Sequence, residues 1–360
     1  MERVIGLRAV LCVLAVVGFT AVFLFAYTHE QDDVSGPVVT KWCNGNLNNG
    51  APCANSVTWN LNPSASNVIT TGGVPVLQAL QNSFVSWENA SLNSQSLVNV
   101  SISQGLLSET QTTPNANDCV NIIGFTDGTK SDFSTGTIAF TDIATTFGGS
   151  PNQYSCNGSS VNYTCPLPSC IVDADIEFNP SVNFSTASPT PSNAFDLQSI
   201  ATHEIGHFLG MDHSGLASSI MFAFGDSGGV PQRNLSADDA IGIGSIYPSS
   251  GFAGVTGTLS GTVTLSGSGI LGAHIVIMDT QSGLAATDTL TNSDGTYSIF
   301  VAPGQYNVIA LPLAGLYDVN SYGGWACGYE ENGPPCCDST QPSCNAKALS
   351  PPTNFSGKFK

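Results

Sequence analysis

The chain has 360 residues, enough for two or three domains rather than one small core. Apolar residues make up 41% and support a folded interior, whereas charged residues make up only 9%, low for a cytosolic protein. The formal charge of −18 leaves no basic patch to neutralise phosphates, so a nucleic-acid partner is excluded.

In chain order, residues 9–27 form an uninterrupted apolar run, with Arg3 and Arg8 before it and Glu30, Asp32 and Asp33 after it. That charge bias keeps the N-terminus inside and exports the rest. The run is long for a signal peptide and just long enough to span a bilayer, so residues 1–28 read either as a signal peptide or as an N-terminal membrane anchor. In both cases the remainder is expected outside the cell, secreted or anchored. Ten cysteines follow the run, in groups of two (Cys43, Cys53), four (Cys119, Cys156, Cys165, Cys170) and four (Cys327, Cys336, Cys337, Cys344). An even number in loop-like sequence predicts disulfides in an oxidising compartment, paired locally within groups. Zinc binding by the last group is the rival reading, though no CxxC spacing is present.

Residues 29–56 are polar and Gly/Asn-rich and read as a linker. "VTWNL" (57–61) alternates as a strand. Leu77, Leu80, Phe84 and Trp87 recur at helical spacing and predict a helix over about 74–89. Further strands are expected at 97–102, 119–125, 136–144 and 171–178, with a long cysteine-bearing loop between the last two. A helix over 196–210 and another after Ser236 complete one α+β domain over 57–248. The Ser236–Asp239 stretch resembles a capping box, and Pro248 ends that last helix. Beyond it the texture changes. Residues 252–312 hold short alternating strands separated by turns such as Ser293-Asp-Gly295, which predict a small antiparallel β-sandwich. Residues 313–360 are Gly/Pro/Cys-rich and read as a disulfide-held extension.

The chemistry concentrates in "THEIGHFLGMDHS" (202–214), which carries three of the five histidines within eleven residues. Asp196 can cap the helix, and Leu197, Ala201, Ile205 and Phe208 form its buried stripe. His203 and His207 stand one turn apart on another face and can reach one ion. Gly210 offers the backbone freedom to end the helix and turn sharply, bringing His213 back as a third nitrogen ligand. Three protein ligands leave a fourth position open, the mark of a catalytic zinc. Glu204, beside the first ligand, is placed as the general base for the attacking water. Metal-assisted amide hydrolysis is the expected chemistry. A helix with solvated or core-satisfied histidines is the bland alternative, which the spacing of Gly210 and His213 disfavours.

"HEIGHFLGMDH" matches the metzincin pattern HExxHxxGxxH. Ser214 directly after the third histidine resembles the matrixins within that clan, and Met221 lies where their methionine turn passes beneath the metal. "NLSADDAIGIGSIYP" is similar to their closing helix. The resemblance implies a metzincin-type catalytic domain, with a twisted five-stranded sheet, an active-site helix and a C-terminal helix. It implies one catalytic Zn2+ and a protein or peptide substrate. "GTIAFTDI" resembles the edge strand that pairs with extended substrate, which would place Ile138 and Ala139 near the peptide. The 252–312 segment resembles carboxypeptidase-regulatory-like sandwiches, a weaker likeness, and implies an accessory role.

Three departures from the family are visible. Phe140 and Glu177 stand where matrixins usually carry histidines for a second, structural zinc, so that ion is not expected. Asp173, Asp175 and Glu177 leave two readings open, a Ca2+ site or solvated carboxylates, of which the second is favoured. Phe222-Ala223 replaces the usual aromatic-proline pair in the specificity wall. The 28–56 segment is too short for a folded inhibitory propeptide and has no cysteine-switch motif, so any latency is expected to work differently. The main rival function is a surface-adhesion protein with a vestigial site, against which the retained Glu204 speaks. A second rival is a metal-dependent hydrolase of another substrate class.

Overall fold

The computed structural model describes residues 40–43 and, with several short breaks, 56–311. The apolar 9–27 run, residues 313–360 and the partner position Cys53 lie outside the described residues. Among the described residues no helix is long and apolar enough to cross a membrane.

The main sheet is built from β1 (Lys41–Trp42), β2 (Ser56–Leu61), β3 (Ser101–Leu107), β4 (Ile122–Gly124), β5 (Ala139–Phe147) and β6 (Ser169–Phe178). Its order runs β3-β2-β4-β6-β5, with β1 beside the first half of β6. All pairings are parallel except β5 with β6. The sheet therefore has a sixth strand where five were expected. Lys41–Trp42 falls inside the segment read as linker, and its register with Cys170 and Ile171 draws that segment into the domain.

Helix α1 (Val76–Glu88) buries Leu80, Phe84 and Trp87 as its spacing predicts. It packs on α2 (Leu197–Phe208), and the two are also tied by polar bonds: Trp87 Nε1 donates to the Thr202 carbonyl at 2.8 Å and Ser83 Oγ to that of Gln198 at 3.1 Å. The stripe Leu197, Ala201, Ile205 and Phe208 is fully buried. Asp196 caps α2 by accepting from the Ser199 N–H, and Arg233 Nε holds the same carboxylate at 2.9 Å. At the other end, Trp42 Nε1 reaches the Phe208 carbonyl at 2.7 Å and Tyr247 Oη reaches that of Leu209 at 2.9 Å. These donors satisfy carbonyls that a helix C-terminus leaves without an intrahelical partner. Helix α3 (Ala237–Ile246) begins with the expected capping box, Ser236 and Asp239 bonding reciprocally.

The expectation of solvated carboxylates on β6 is overturned. Asp173 and Asp175 are completely buried and Glu177 nearly so. Unlike a surface strand, β6 is paired along both edges, and Asn115, Asp118, Cys119 and Ile122 turn backbone N–H groups onto its carboxylates. Asp175 accepts backbone N–H groups of Asn115 and Ile122, each at 2.7 Å. Asp173 accepts those of Asp118 at 3.2 Å and Cys119 at 2.7 Å. A disulfide from Cys119 to Cys156 fastens the same segment, a pairing within the expected group of four. Cys43 and Cys170 each take part in a disulfide as well.

Beyond α3, the described residues of 257–311 hold a short hairpin, Thr264–Leu265 against Ser268–Gly269, and two larger antiparallel sheets. One pairs β7 (Gly257–Thr262) with β10 (Thr296–Val301). The other sets β8 (His274–Asp279) between β9 (Ala285–Leu290) and β11 (Tyr306–Leu311). Their buried faces supply Ile275, Ile277, Tyr297 and Ile299 to the same apolar cluster as Phe208, Met221 and Ile243. Phe252 bridges the two parts, with its ring 5.1 Å from that of Phe300.

Candidate active site

Helix α2 presents Glu204 to Thr141 of β5 and His203 and His207 to one another, and the turn that follows returns His213 to the same pair. Gly210 makes the turn with φ of +92°, a conformation costly for residues with a Cβ. A Cβ there would also stand 2.3 Å from the Thr40 carbonyl oxygen, so β1 and the turn require the same glycine.

The three imidazoles converge. Nε2 of His207 lies 3.1 Å from Nε2 of His203 and 3.2 Å from Nε2 of His213. The other ring nitrogens explain the arrangement. His203 Nδ1 is 2.7 Å from the Ile220 carbonyl and His207 Nδ1 is 2.8 Å from the Met211 carbonyl. A carbonyl only accepts, so Nδ1 carries the proton and Nε2 points a bare lone pair at the centre. Burial lowers the pKa of His203; burial and the two neighbouring histidines lower that of His207 well below the usual value. Neutral rings with facing lone pairs have no proton to share and fit a cation between them. A tetrahedral ion with Zn–N bonds of about 2.0–2.1 Å would set N–N edges of roughly 3.3 Å, close to those found. Among the described residues these three form the one group of His, Cys, Asp and Glu side chains close enough to hold a metal ion.

Glu204 is buried beside this group, and burial pushes its carboxyl up to about 7, opposed by a hydrogen bond from Thr141. Thr141 Oγ lies 2.8 Å from Glu204 Oε2 and 3.0 Å from the Glu204 backbone oxygen. The carboxylate is thereby tied to β5. Nothing in the helix motif announces Thr141, because the contact links residues 63 positions apart.

Met221 is fully buried against Gly206, where an added Cβ would fall 2.2 Å from its sulfur. The glycine inside HEIGH is therefore a requirement of packing against the methionine. Asp239 organises the Met221 turn from α3. It accepts from Ser219 Oγ, from the Ile220 N–H at 3.0 Å and from the Met221 N–H at 3.3 Å. Since Ile220 supplies the carbonyl that orients His203, Asp239 acts on the first histidine through two bonds. The Ser214 N–H donates to the Met221 carbonyl at 2.8 Å and joins the His213 loop to the same turn.

Ala139 opens β5 and Ile138 directly precedes it; both are half-buried, and the outer edge of β5 pairs with no other described strand. Ile138 packs toward Ile200 and Gly225, so it lines the space between β5, α2 and the chain after Met221. Phe222 and Phe224 form an edge-on ring pair at 5.8 Å there. Phe140 and Glu177 face each other in the β5–β6 register, and the Phe140 ring packs 5.1 Å from that of Phe133.

Comparison with known proteins agrees with this geometry. Residues 124–248 match the family described as Matrixin, a zinc-dependent group with the metzincin fold. The chain is 43% identical over 82 residues to Metalloendoproteinase 1 of Glycine max, covering 22% of this chain and 25% of that protein. It is 35% identical over 86 residues to the Hatching enzyme of Paracentrotus lividus, covering 24% and 14%. With Metalloendoproteinase 5-MMP of Arabidopsis thaliana it shares 48% identity over 52 residues, 14% of each. The chain thus spans a quarter or less of the length of these curated relatives.

Proposed function

We propose that the chain is an exported zinc endopeptidase, with His203, His207 and His213 holding one catalytic ion and Glu204 serving as general base. The observation that carries this reading is the convergence of three Nε2 atoms, those of His203 and His207 bared by carbonyl partners at Nδ1, beside a buried, tethered carboxylate. Zinc bound there polarises a carbonyl and brings the pKa of water to about 7. The chain's own residues do the rest. Ile220 and Met211 fix the ring tautomers through their carbonyls. Glu204 takes a proton from the attacking water as its oxygen bonds to the amide carbon. It returns that proton to the nitrogen as the C–N bond breaks, which releases a neutral amine. Thr141 holds the carboxylate on the β5 side of the helix. The outer edge of β5 offers backbone groups to an extended peptide near Ile138 and Ala139, which favours a peptide over other acyl substrates. Met221, packed against Gly206, floors the site.

The test is cleavage of casein or gelatin by the full chain, with and without a zinc chelator, beside Glu204→Ala. The variant is expected to bind one zinc per chain and to lose about 100-fold or more of its turnover. Full activity in Glu204→Ala would refute the base. Activity unchanged after complete zinc removal would refute the metal.

A further inference from the structure

The residue after the third histidine is held by the C-terminal β module. Ser214 Oγ lies 2.9 Å from Asp288 Oδ1 on β9 and 2.9 Å from Asp238 Oδ2 on α3. The Gly215 N–H donates to Asp288 Oδ2 at 2.9 Å. His274 on β8 places Nε2 2.5 Å from that same oxygen, and Thr287 Oγ donates to Asp238 Oδ1 at 2.6 Å. Both aspartates are almost completely buried.

Ser214 Oγ has one hydrogen and two lone pairs. It accepts from the Leu216 N–H at 3.2 Å and bridges the two carboxylates, each 2.9 Å away. Asp288 also accepts from the Gly215 N–H and faces His274, and Asp238 also accepts from Thr287. Burial, with the nearby Asp288 and Asp239 charges, raises the Asp238 pKa well above the ordinary value. The shared contacts tie the loop after His213 to both α3 and β9, and a buried network whose members share partners is rigid.

We propose that Asp288 is a positioning residue for the metal centre: by accepting from Ser214 and Gly215 it fixes the loop that presents His213. His274 in turn orients Asp288. The β module is on this view part of the active centre, where sequence alone suggested an accessory role. The inference rests on the reading of His213 as a zinc ligand. It extends the rule that partners behind metal ligands set their placement, at a typical cost of about 10–100-fold in metal affinity when lost.

The experiment measures zinc affinity of the full chain by competition with a chromophoric chelator, for Asp288→Ala, Ser214→Ala, the double variant and His213→Ala, with circular dichroism as the check on folding. Asp288→Ala is expected to weaken zinc binding about tenfold or more. Ser214→Ala should weaken it too, and the double variant should lose less than the product of the single losses, since both act through one contact. Asp294→Ala, in an exposed turn of the same module, should bind zinc as the parent does. Unchanged affinity in Asp288→Ala and Ser214→Ala, with His213→Ala strongly weakened, overturns the inference and leaves the metal site standing. Unchanged affinity in His213→Ala overturns the metal reading itself. Should Asp288→Ala fail to fold, Ser214→Ala decides, and normal zinc binding by it overturns the inference. Losses that multiply independently in the double variant also overturn it.

Discussion

Thr141 shows how one side chain outside the motif can set the behaviour of a residue inside it. Its hydroxyl has a single hydrogen, and the Glu204 carboxylate at 2.8 Å and backbone oxygen at 3.0 Å compete for it. Replacement with valine keeps the shape and removes the donor. We predict that Thr141→Val lowers kcat/KM on a peptide substrate on the order of tenfold, the scale of a lost contact behind a catalytic group, with zinc affinity unchanged. Equal loss of zinc affinity would mean that the threonine acts on the fold and not on the carboxylate. At this scale the converging histidine triad was legible in sequence, because His203 and His207 are one helical turn apart and Gly210 marks the turn that returns His213. Their supports were not. Thr141, Asp239 and the carbonyls of Ile220 and Met211 reach the site across the fold, and no local pattern encodes such distances. The carboxylates on β6 misled for the same reason. An alternating polar strand reads as half-solvated until its neighbours are seen, and here Asn115, Asp118, Cys119 and Ile122 place backbone donors on Asp173 and Asp175.

Among the elements, the junction of α2 with the returning loop is the most constrained. Gly210 combines a left-handed backbone with an approach of 2.3 Å between its missing Cβ and the Thr40 oxygen. Gly210→Ala is expected to destabilise the chain by at least ~1–2 kcal/mol from the backbone alone, with the contact to β1 adding to it. A denaturant titration measures this, and the same variant should bind zinc more weakly because His213 depends on the turn. Unaltered stability would show that β1 moves freely away from the helix end. Sequence identified the turn but not its neighbour, since a two-residue strand has no periodicity to detect. Lys41–Trp42 becomes recognisable only through what it touches, namely Ile171 in register and the Phe208 carbonyl under the indole. The capping boundaries fared better. Asp196 and Ser236 were both identified from sequence, because a cap is a local event that three or four residues determine.

In the whole molecule, sequence texture separated the 57–248 domain from the β module but carried no sign that the two share a core. Ile275 and Ile299 pack into one cluster with Met221 and Ile243, and only the folded chain brings these together. Stability should therefore respond as one unit, and its pH dependence follows from the buried carboxylates. Burial raises the Asp175 carboxyl to about 8, with backbone donors from Ile122 and Asn115 working against it and the Asp173 charge adding to it. Burial likewise lifts Asp173 to about 6. Both folded values lie above the unfolded value of 3.8. The folded state then holds protons that the unfolded state has released, so this contribution is complete below the unfolded value. It declines as pH rises, for Asp173 toward 6 and for Asp175 toward 8. One such group changes stability by at most about 1.4 kcal/mol per pH unit. Asp175→Asn removes the titration; it keeps one of the two accepting oxygens and sets its NH2 against the other N–H, a cost that does not vary with pH, so the slope of the profile is what is compared. In chelator-treated protein, where zinc adds no pH dependence of its own, the parent should lose stability relative to Asp175→Asn between pH 5 and 8. Parallel stability profiles for the two proteins across that range would show that Asp175 stays ionised in the fold and that its two backbone donors outweigh its burial.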